Sequence, residues 1–180
     1  KVSDPNAGWC VKSNTDGKQK FVFGYKAHIL CDTQYELPLV IDTTAGNVHD
    51  VKKATPLLGQ ARRHYTFAPD YVICDAAYSS GKLRMVISRQ YRALPIIDPH
   101  PRHPKAKARA ETIPDWKALY RRRSAIERLN GRLKAFFKLN AVRVRGRSKV
   151  KVHAHMSVIA LQARAVAFPQ QPRQCVRAAA

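Results

Sequence analysis

The stretch YRRRSAIERLNGRLK, residues 120–134, decides the fold assignment because its residues repeat at helical spacings. Tyr120, Arg123, Glu127 and Lys134 are 3, 4 and 7 residues apart, so they share one stripe of a predicted helix. A separate apolar stripe contains Leu119, Ile126, Leu129, Leu133 and Phe137. Such a helix can pack its apolar face on the protein core while it presents a single carboxylate among bases.

The chain before and after this stretch alternates between strand and helix patterns. Residues 1–19 and the Pro-rich residues 98–112 are predicted to be loops. The predicted elements are strands over 20–31 and 37–44 forming a hairpin, a helix over 51–62 capped by Asp50, a strand over 71–74, a helix over 81–90 capped by Ser79 or Ser80, a strand over 93–97, one long helix over 114–137 and a last helix over 152–168. This order favours a layered α/β domain.

The charge of the chain points to a polyanionic partner. The formal net charge is +21 over 180 residues, and residues 101–152 contain 17 Lys and Arg against 3 acids. Like charge at this density repels itself unless a polyanion neutralises it, so nucleic acid is the first partner to consider and an anionic membrane surface the second. With 45% hydrophobic residues, the chain is not a disordered basic tail.

The remaining bulk features exclude several classes of protein. The four cysteines show no CxxC spacing, which favours free thiols in a reducing compartment over a zinc site. No apolar run reaches the roughly 20 residues of a membrane span, and no signal peptide is visible. Trp9, Tyr91 and Trp116 could stack on bases, although ordinary packing is the simpler interpretation.

Two acids stand where phosphoryl-transfer chemistry needs them. Asp75 follows the apolar run YVIC, and ligands in α/β sheets bind at the carboxyl ends of strands. Glu127 is the only acid between Asp115 and the end of the chain. Carboxylates from two separate elements suit Mg²⁺ or Mn²⁺. The simpler alternatives are that Asp75 caps the next helix and that Glu127 pairs with Arg123 or Arg128 on the surface.

Several segments together resemble the DDE transposases of bacterial insertion sequences. Residues 120–134 match the family's Y-x2-R-x3-E-x6-K signature at all four positions, and ICDAAYSS at 73–80 is similar to its second-aspartate motif, with Ala76 and Ala77 in place of Lys-Gly. Further similar segments, in the family's order, are SDPNAGW at 3–9, FGYKAHILCD at 23–32 and TTAGNVHD at 43–50.

The resemblance implies a ribonuclease-H-like mixed sheet flanked by helices. It also implies that Asp75 and Glu127 are catalytic and bind a divalent metal, Mg²⁺ or Mn²⁺. Tyr120, Arg123 and Lys134 would contact transposon-end DNA, and Arg121 and Arg128 are expected to add phosphate contacts.

The first aspartate of the triad has no clear place in this chain. In this family it lies on a strand that precedes the GYK strand, so we expect it upstream of Lys1, on a first strand that this chain lacks. Asp4 is the next candidate. Asp42 belongs to the third strand of the family's order, and Asp32 is expected to be a turn residue.

We therefore expect a transposase that cleaves and joins DNA at element ends, acting as a homodimer on DNA. The expected location is the bacterial cytoplasm, in association with the nucleoid and not with a membrane. Residues 1–150 would form the N-terminally truncated core, and residues 151–180 a C-terminal helix and tail of the same domain. The alternatives are an inactive remnant that binds DNA without sequence preference, and a nuclease that cuts without joining strands.

Overall fold

The computed structural model describes residues 4–13, 16–99 and 112–168 and shows a mixed α/β architecture. Its strands form an antiparallel sheet in the order β1-β2-β3 and a parallel pair β4-β5. The strands are β1 Gly8–Ser13, β2 Gln19–Cys31, β3 Pro38–Ala45, β4 Tyr71–Cys74 and β5 Leu94–Ile97. The helices are α1 Val51–His64, α2 Gly81–Gln90, α3 Trp116–Arg121, α4 Ser124–Phe137 and α5 Arg147–Ala167, with a 3₁₀ turn at Ala76–Tyr78.

Helices cover both faces of β3, whose run of apolar residues predicts a buried strand. Neighbouring residues of a strand point to opposite faces, and on β3 Val40 packs against α1 while Ile41 packs against α5. The α1 side also contains α2, whose Leu83 and Ile87 join β4 and β5 in one buried cluster. On the other side, α4 contributes Leu129 and Leu133 to a cluster with α5. The expected α/β layering is confirmed.

The predicted loop over 1–19 is wrong in part, because β1 forms within it. Trp9 lies opposite Phe23, and Val11 lies opposite Phe21, on the first half of β2. Cross-strand pairs of large apolar side chains stabilise a hairpin even where the surrounding residues are turn formers. The signal in the sequence was the short apolar run Trp9-Cys10-Val11.

The predicted long helix over 114–137 is also wrong, because it is two helices that meet at Arg122 and Arg123. At the junction, the amides of Arg122, Arg123, Ala125 and Ile126 each donate to the carbonyl three residues back instead of four. This 3₁₀ spacing has fewer residues per turn than an α-helix. Tyr120 therefore lies on α3, whereas Glu127 and Lys134 lie on α4. Periodicity alone does not distinguish a continuous helix from one with a tightened turn.

Two further predictions at the ends of helices are wrong, and one is confirmed. Asp50 makes no side-chain cap, since its own backbone is already helical (φ −63°, ψ −38°), and its carboxylate accepts from Lys26 Nζ at 3.2 Å. Ser80, by contrast, caps α2 as predicted, accepting from the Leu83 amide. Helix α5 begins at Arg147 and not near 152, so the division at 150/151 falls inside it.

No helix in the described part of the chain is long and apolar enough to cross a membrane.

Close backbone packing at Gly46 attaches the β1–β2 hairpin to β3. The Gly46 amide donates to the Gly24 carbonyl at 2.9 Å, and a Cβ on Gly46 would lie 2.4 Å from the backbone oxygen of Gly8. We expect Gly46→Ala to destabilise the protein by about 1–3 kcal/mol, because backbone must move to admit the methyl group. Gly131→Ala is the matched control: it lies in α4 with open space around it and should stabilise by about 0.5–1 kcal/mol. Urea denaturation measures both, and equal effects would contradict the packing argument.

Candidate active site

A groove of about 800 Å³ lies where β2, β4 and α4 approach one another. Residues 27–35 from β2 and its turn and residues 65–75 leading through β4 line it, and α4 adds Ile126, Glu127 and Asn130. Strands β2 and β4 belong to separate sheets. Both predicted catalytic residues, Asp75 and Glu127, line this one groove.

Asp75 is held at the carboxyl end of β4, as predicted. Its backbone is extended, and Oδ1 accepts from the Ala77 amide at 3.0 Å, so the carboxylate caps the short 3₁₀ turn. The predicted capping role is therefore correct for this turn, and it leaves Oδ2 for another ligand. The side chain is partly exposed, so solvent or a ligand can reach it.

Asp98 is a second acid at the same edge, which the sequence reasoning missed. Cys74 of β4 lies opposite Ile97 of β5, and the Asp98 amide donates to the Cys74 carbonyl at 3.2 Å. Asp75 and Asp98 therefore follow neighbouring parallel strands at one end of the pair. The signal was available, since Asp98 follows the apolar run LPII as Asp75 follows YVIC.

Glu127 lies on the first turn of α4 and faces solvent. Its side chain is 57% exposed, and Oε1 accepts from Arg123 Nη2 at 2.6 Å one helical turn away. The simple surface pair considered for Glu127 is thus present. An exposed pair of this kind contributes little to stability, so the carboxylate can exchange its partner at small cost.

The signature residues form a chain of contacts. Trp116 stacks on Tyr120 with ring centroids 4.8 Å apart, and the Arg123 guanidinium lies 5.6 Å from the Tyr120 ring centroid. The Tyr120 hydroxyl donates to Asp98 Oδ2 at 3.2 Å. Burial and the neighbouring Asp98 carboxylate raise the pKa of Tyr120, so the phenol stays protonated. Tyr120, Arg123 and Glu127 are therefore linked from β5 to α4.

The other predicted DNA-binding residues lie in two kinds of environment. Arg121 and Lys134 are exposed. Arg128 is exposed too, but it is engaged within the protein: Nε donates to Glu36 Oε1 at 2.6 Å and Nη1 to Ser124 Oγ at 2.8 Å. Glu36 is buried, and Arg132 Nη1 lies 3.5 Å from its other oxygen. Arg128 thus joins α4 to the β2–β3 turn.

The candidates for a first aspartate are all engaged elsewhere. Asp4 accepts from the Tyr25 hydroxyl at 2.7 Å and from the Gly146 amide at 2.8 Å, and these bonds, that of Gly146 foremost, lower its pKa. Asp42 lies on β3 as expected and is paired with Lys53 at 2.8 Å. Asp32 binds amides of its own turn, as predicted. None of the three carboxylates contacts Asp75 or Glu127 through a hydrogen bond in the described structure.

Among the residues that the structure describes, histidines and cysteines do not build a second site. His28 is buried, with Nε2 2.8 Å from Thr44 Oγ1, and burial lowers its pKa. His153 and His155 each bind a backbone carbonyl. His100, His103 and Cys175 lie outside the described residues, and the thiols of Cys10, Cys31 and Cys74 are free.

The donor set of the groove fits a hard divalent ion but is incomplete for one. Carboxylate oxygens are preferred ligands of Mg²⁺, and Asp75 and Glu127 supply two. Over residues 4–13, 16–99 and 112–168, no group of three or more His, Cys, Asp or Glu side chains is arranged to hold a metal ion. Asp75 and Glu127 would need a third protein carboxylate, water or substrate oxygens to complete the shell.

Comparison with known proteins identifies the family. A family model described as "Transposase DDE domain" matches residues 4–162, most of the 180-residue chain. Searches among curated proteins and among solved structures found no match. The chain therefore belongs to the transposase DDE domain family, whose members act on DNA in transposition and generally use divalent metal ions.

Proposed function

We propose that this protein is the catalytic core of a bacterial insertion-sequence transposase with a ribonuclease-H-like fold. It would hydrolyse one DNA strand at each element end and then direct the freed 3′-hydroxyl onto a phosphodiester of target DNA. The observation that supports this best is that Asp75 and Glu127, on separate elements, line one groove with Arg122 and Arg123. Family membership supplies the reaction class.

The roles of the chain's own residues follow from their positions. Asp75 and Glu127 would hold Mg²⁺ or Mn²⁺, which activates the attacking oxygen and stabilises the leaving one when bound. Arg123 lies between Tyr120 and Glu127 and would neutralise the scissile phosphate. The Tyr120 ring would hold the Arg123 guanidinium in place. Arg121 and Lys134 extend the basic surface on either side.

We also propose that the first catalytic aspartate lies on a strand upstream of Lys1. The groove between β2 and β4 supports this, since β4 pairs with β5 alone in the described structure and the lining residues Ala54, Leu57 and Leu58 are apolar. An added strand there would carry an acid toward Asp75. Asp4 is less suited, because Tyr25 and Gly146 already bind it.

Cleavage of a plasmid that carries the gene with its flanking DNA tests the proposed function, with the protein produced together with the segment encoded upstream of Lys1, because that segment is proposed to supply the first catalytic aspartate. The expected result is nicking that requires Mg²⁺ or Mn²⁺, followed by joined products in which the 3′ end is attached to a new site. Cutting without joining would indicate a nuclease. Binding of DNA with neither cleavage nor Mn²⁺ binding would indicate the inactive, nonspecific DNA-binding remnant. We further propose that the protein acts as a homodimer on DNA, and sedimentation with paired end fragments checks this. Because DNA is the proposed substrate, we propose that the protein associates with the nucleoid.

Arg121→Ala and Arg128→Ala are expected to differ, although both were predicted to bind DNA. Arg121 is exposed, so its loss should weaken binding and lower the slope of log K against log salt by about 1. Loss of Arg128 removes one of the positive charges that neutralise the buried Glu36 carboxylate. It should therefore destabilise the fold by about 1–2 kcal/mol. Fluorescence anisotropy at several salt concentrations and urea denaturation measure the two effects. A stable Arg128→Ala variant with a lower salt slope would instead make Arg128 a DNA contact.

A further inference from the structure

The β1–β2 hairpin has one aromatic face that the rest of the described protein does not cover. Trp9 pairs with Phe23 and Val11 pairs with Phe21, and residues two apart on a strand share a face, so all four lie together. Trp9 and Phe21 are each 62% exposed and Val11 is 51% exposed. The interpretation of Trp9 as an ordinary packing residue therefore does not hold.

The two aromatic rings at the root of this face form a platform. The ring centroids of Trp9 and Phe23 are 5.2 Å apart with an interplanar angle of 54°, so each ring supports the other. A contiguous exposed patch of large apolar side chains is uncommon on a protein without a partner for it. The root of the hairpin, where Gly8 pairs with Gly24, is attached to the rest of the protein by the Gly46 amide and by the hydrogen bonds of Asp4 with Tyr25 and Gly146. These bonds fix the position of the platform.

The root of the hairpin lies beside the candidate active site. Lys26, two residues after Gly24, contacts Asp50 at 3.2 Å. Ala27 and His28 of β2 line the same groove as Asp75, and His28 Nδ1 lies 3.8 Å from Asp50 Oδ1. The part of β2 that continues into the hairpin therefore shares the groove with Asp75.

The charges around the platform favour a polyanion. Residues 8–24 contain three lysines and one aspartate. Lys18 is exposed at the end of the hairpin, and Lys20 is exposed on the face opposite the aromatic rings. At the root, Arg145 and Arg147 flank Gly146, whose amide donates to Asp4 at 2.8 Å, and Arg147 Nε donates to the Thr43 carbonyl at 3.1 Å. Exposed aromatic rings among basic side chains are the combination that binds unpaired nucleic-acid strands, because every base has a stacking face and every phosphate a charge.

We propose that the β1–β2 hairpin is a DNA-contacting arm on which Trp9 and Phe23 stack unpaired bases next to the cleavage site. The inference rests on the proposed function for its DNA substrate, and it adds a site for single-stranded or locally unpaired DNA. Lys18, at the end of the hairpin, binds a phosphate that flanks those bases. Strand separation at the platform keeps the scissile phosphate exposed to the groove.

Trp9 fluorescence reports on this site directly. The chain has two tryptophans, so Trp116→Phe leaves Trp9 as the sole reporter. In that background, a short single-stranded oligonucleotide is expected to quench Trp9, and a blunt duplex of the same length to quench it much less. Trp9→Ala in the otherwise native chain should weaken binding of the single strand about 5- to 100-fold, as loss of one base-stacking contact does. Trp9→Phe should restore most of the affinity, since Phe also stacks.

Phe136→Ala is the matched control. Phe136 is also 62% exposed, but it lies on α4 and not on the hairpin, so its removal should leave single-strand affinity unchanged. Circular dichroism checks that Trp9→Ala folds. Unchanged affinity and unquenched Trp9 would overturn the proposal, and loss of self-association in Trp9→Ala by sedimentation would make the face a protein interface instead. Since quenching needs no catalysis, failure of cleavage alone would count against the proposed function and not against this arm.

Discussion

Glu127→Gln is expected to lower metal-dependent DNA cleavage at least about 100-fold, the largest effect on activity that we predict. The substitution keeps the size of the side chain but replaces one acceptor oxygen by an NH₂ donor and removes the charge that would hold the metal. Because Glu127 is 57% exposed and pairs only with Arg123 among the contacts seen here, the stability of the fold should change little. Cleavage of the gene-bearing plasmid in Mg²⁺, together with Mn²⁺ binding by calorimetry, measures the loss.

Asp115→Asn provides the control for this change. Asp115 is an exposed acid ahead of α3 that does not line the groove, and Asn tolerates its left-handed backbone (φ 54°). Its removal subtracts the same charge, so a general electrostatic effect on DNA affinity should be equal in the two variants. If Glu127→Gln cleaves DNA as fast as the native protein does, the catalytic role of Glu127 is wrong.

Glu36→Gln is expected to have the largest effect on stability, a loss of about 2–3 kcal/mol. Glu36 is 2% exposed, and its carboxylate lies 2.6 Å from Arg128 Nη2 and 3.5 Å from Arg132 Nη1. Removing one partner of a buried ion pair costs about 3–5 kcal/mol, and we lower the figure because both guanidiniums are partly exposed and regain some hydration. For a chain of this size, the melting temperature should fall by about 5–10 °C.

Asp70→Asn is the matched control for Glu36→Gln. Asp70 is an exposed acid just before β4, so its loss should change stability by less than about 0.5 kcal/mol. Urea denaturation of both variants separates burial from charge. An equal change in the two would mean that the Glu36 carboxylate does not hold α4 against the β2–β3 turn.

The elements that the sequence predicted best are those with strong local patterns. The strand over 71–74 and the helix over 81–90 have the predicted bounds, since an apolar run and a Ser cap are both local signals. The failures involve contacts between distant residues. β1 depends on its pairing with Phe21 and Phe23 across the hairpin. The Asp50 carboxylate accepts a hydrogen bond from Lys26 instead of capping α1.

The candidate site divides in the same way. Its two acids could be named from the sequence, because one follows an apolar strand and the other is alone among bases on a helical stripe. The link from Tyr120 to Asp98 and the binding of Arg128 to Glu36 could not, since each joins residues far apart in the chain. Helical periodicity predicted one stripe, whereas a tightened turn placed Tyr120 on a separate helix.

The sequence by itself determined the family and the alternation of strands and helices, and it supplied Asp75 and Glu127 as the candidate catalytic acids. These follow from spacing and residue type, which are local properties of the chain. Only the tertiary structure decided that both acids line one groove, that Asp98 shares the strand edge with Asp75, and that Trp9 stays exposed. The physical reason is that such arrangements depend on which apolar faces pack together. Packing brings together residues far apart in the chain, and local patterns in the sequence do not reveal which of them will be in contact.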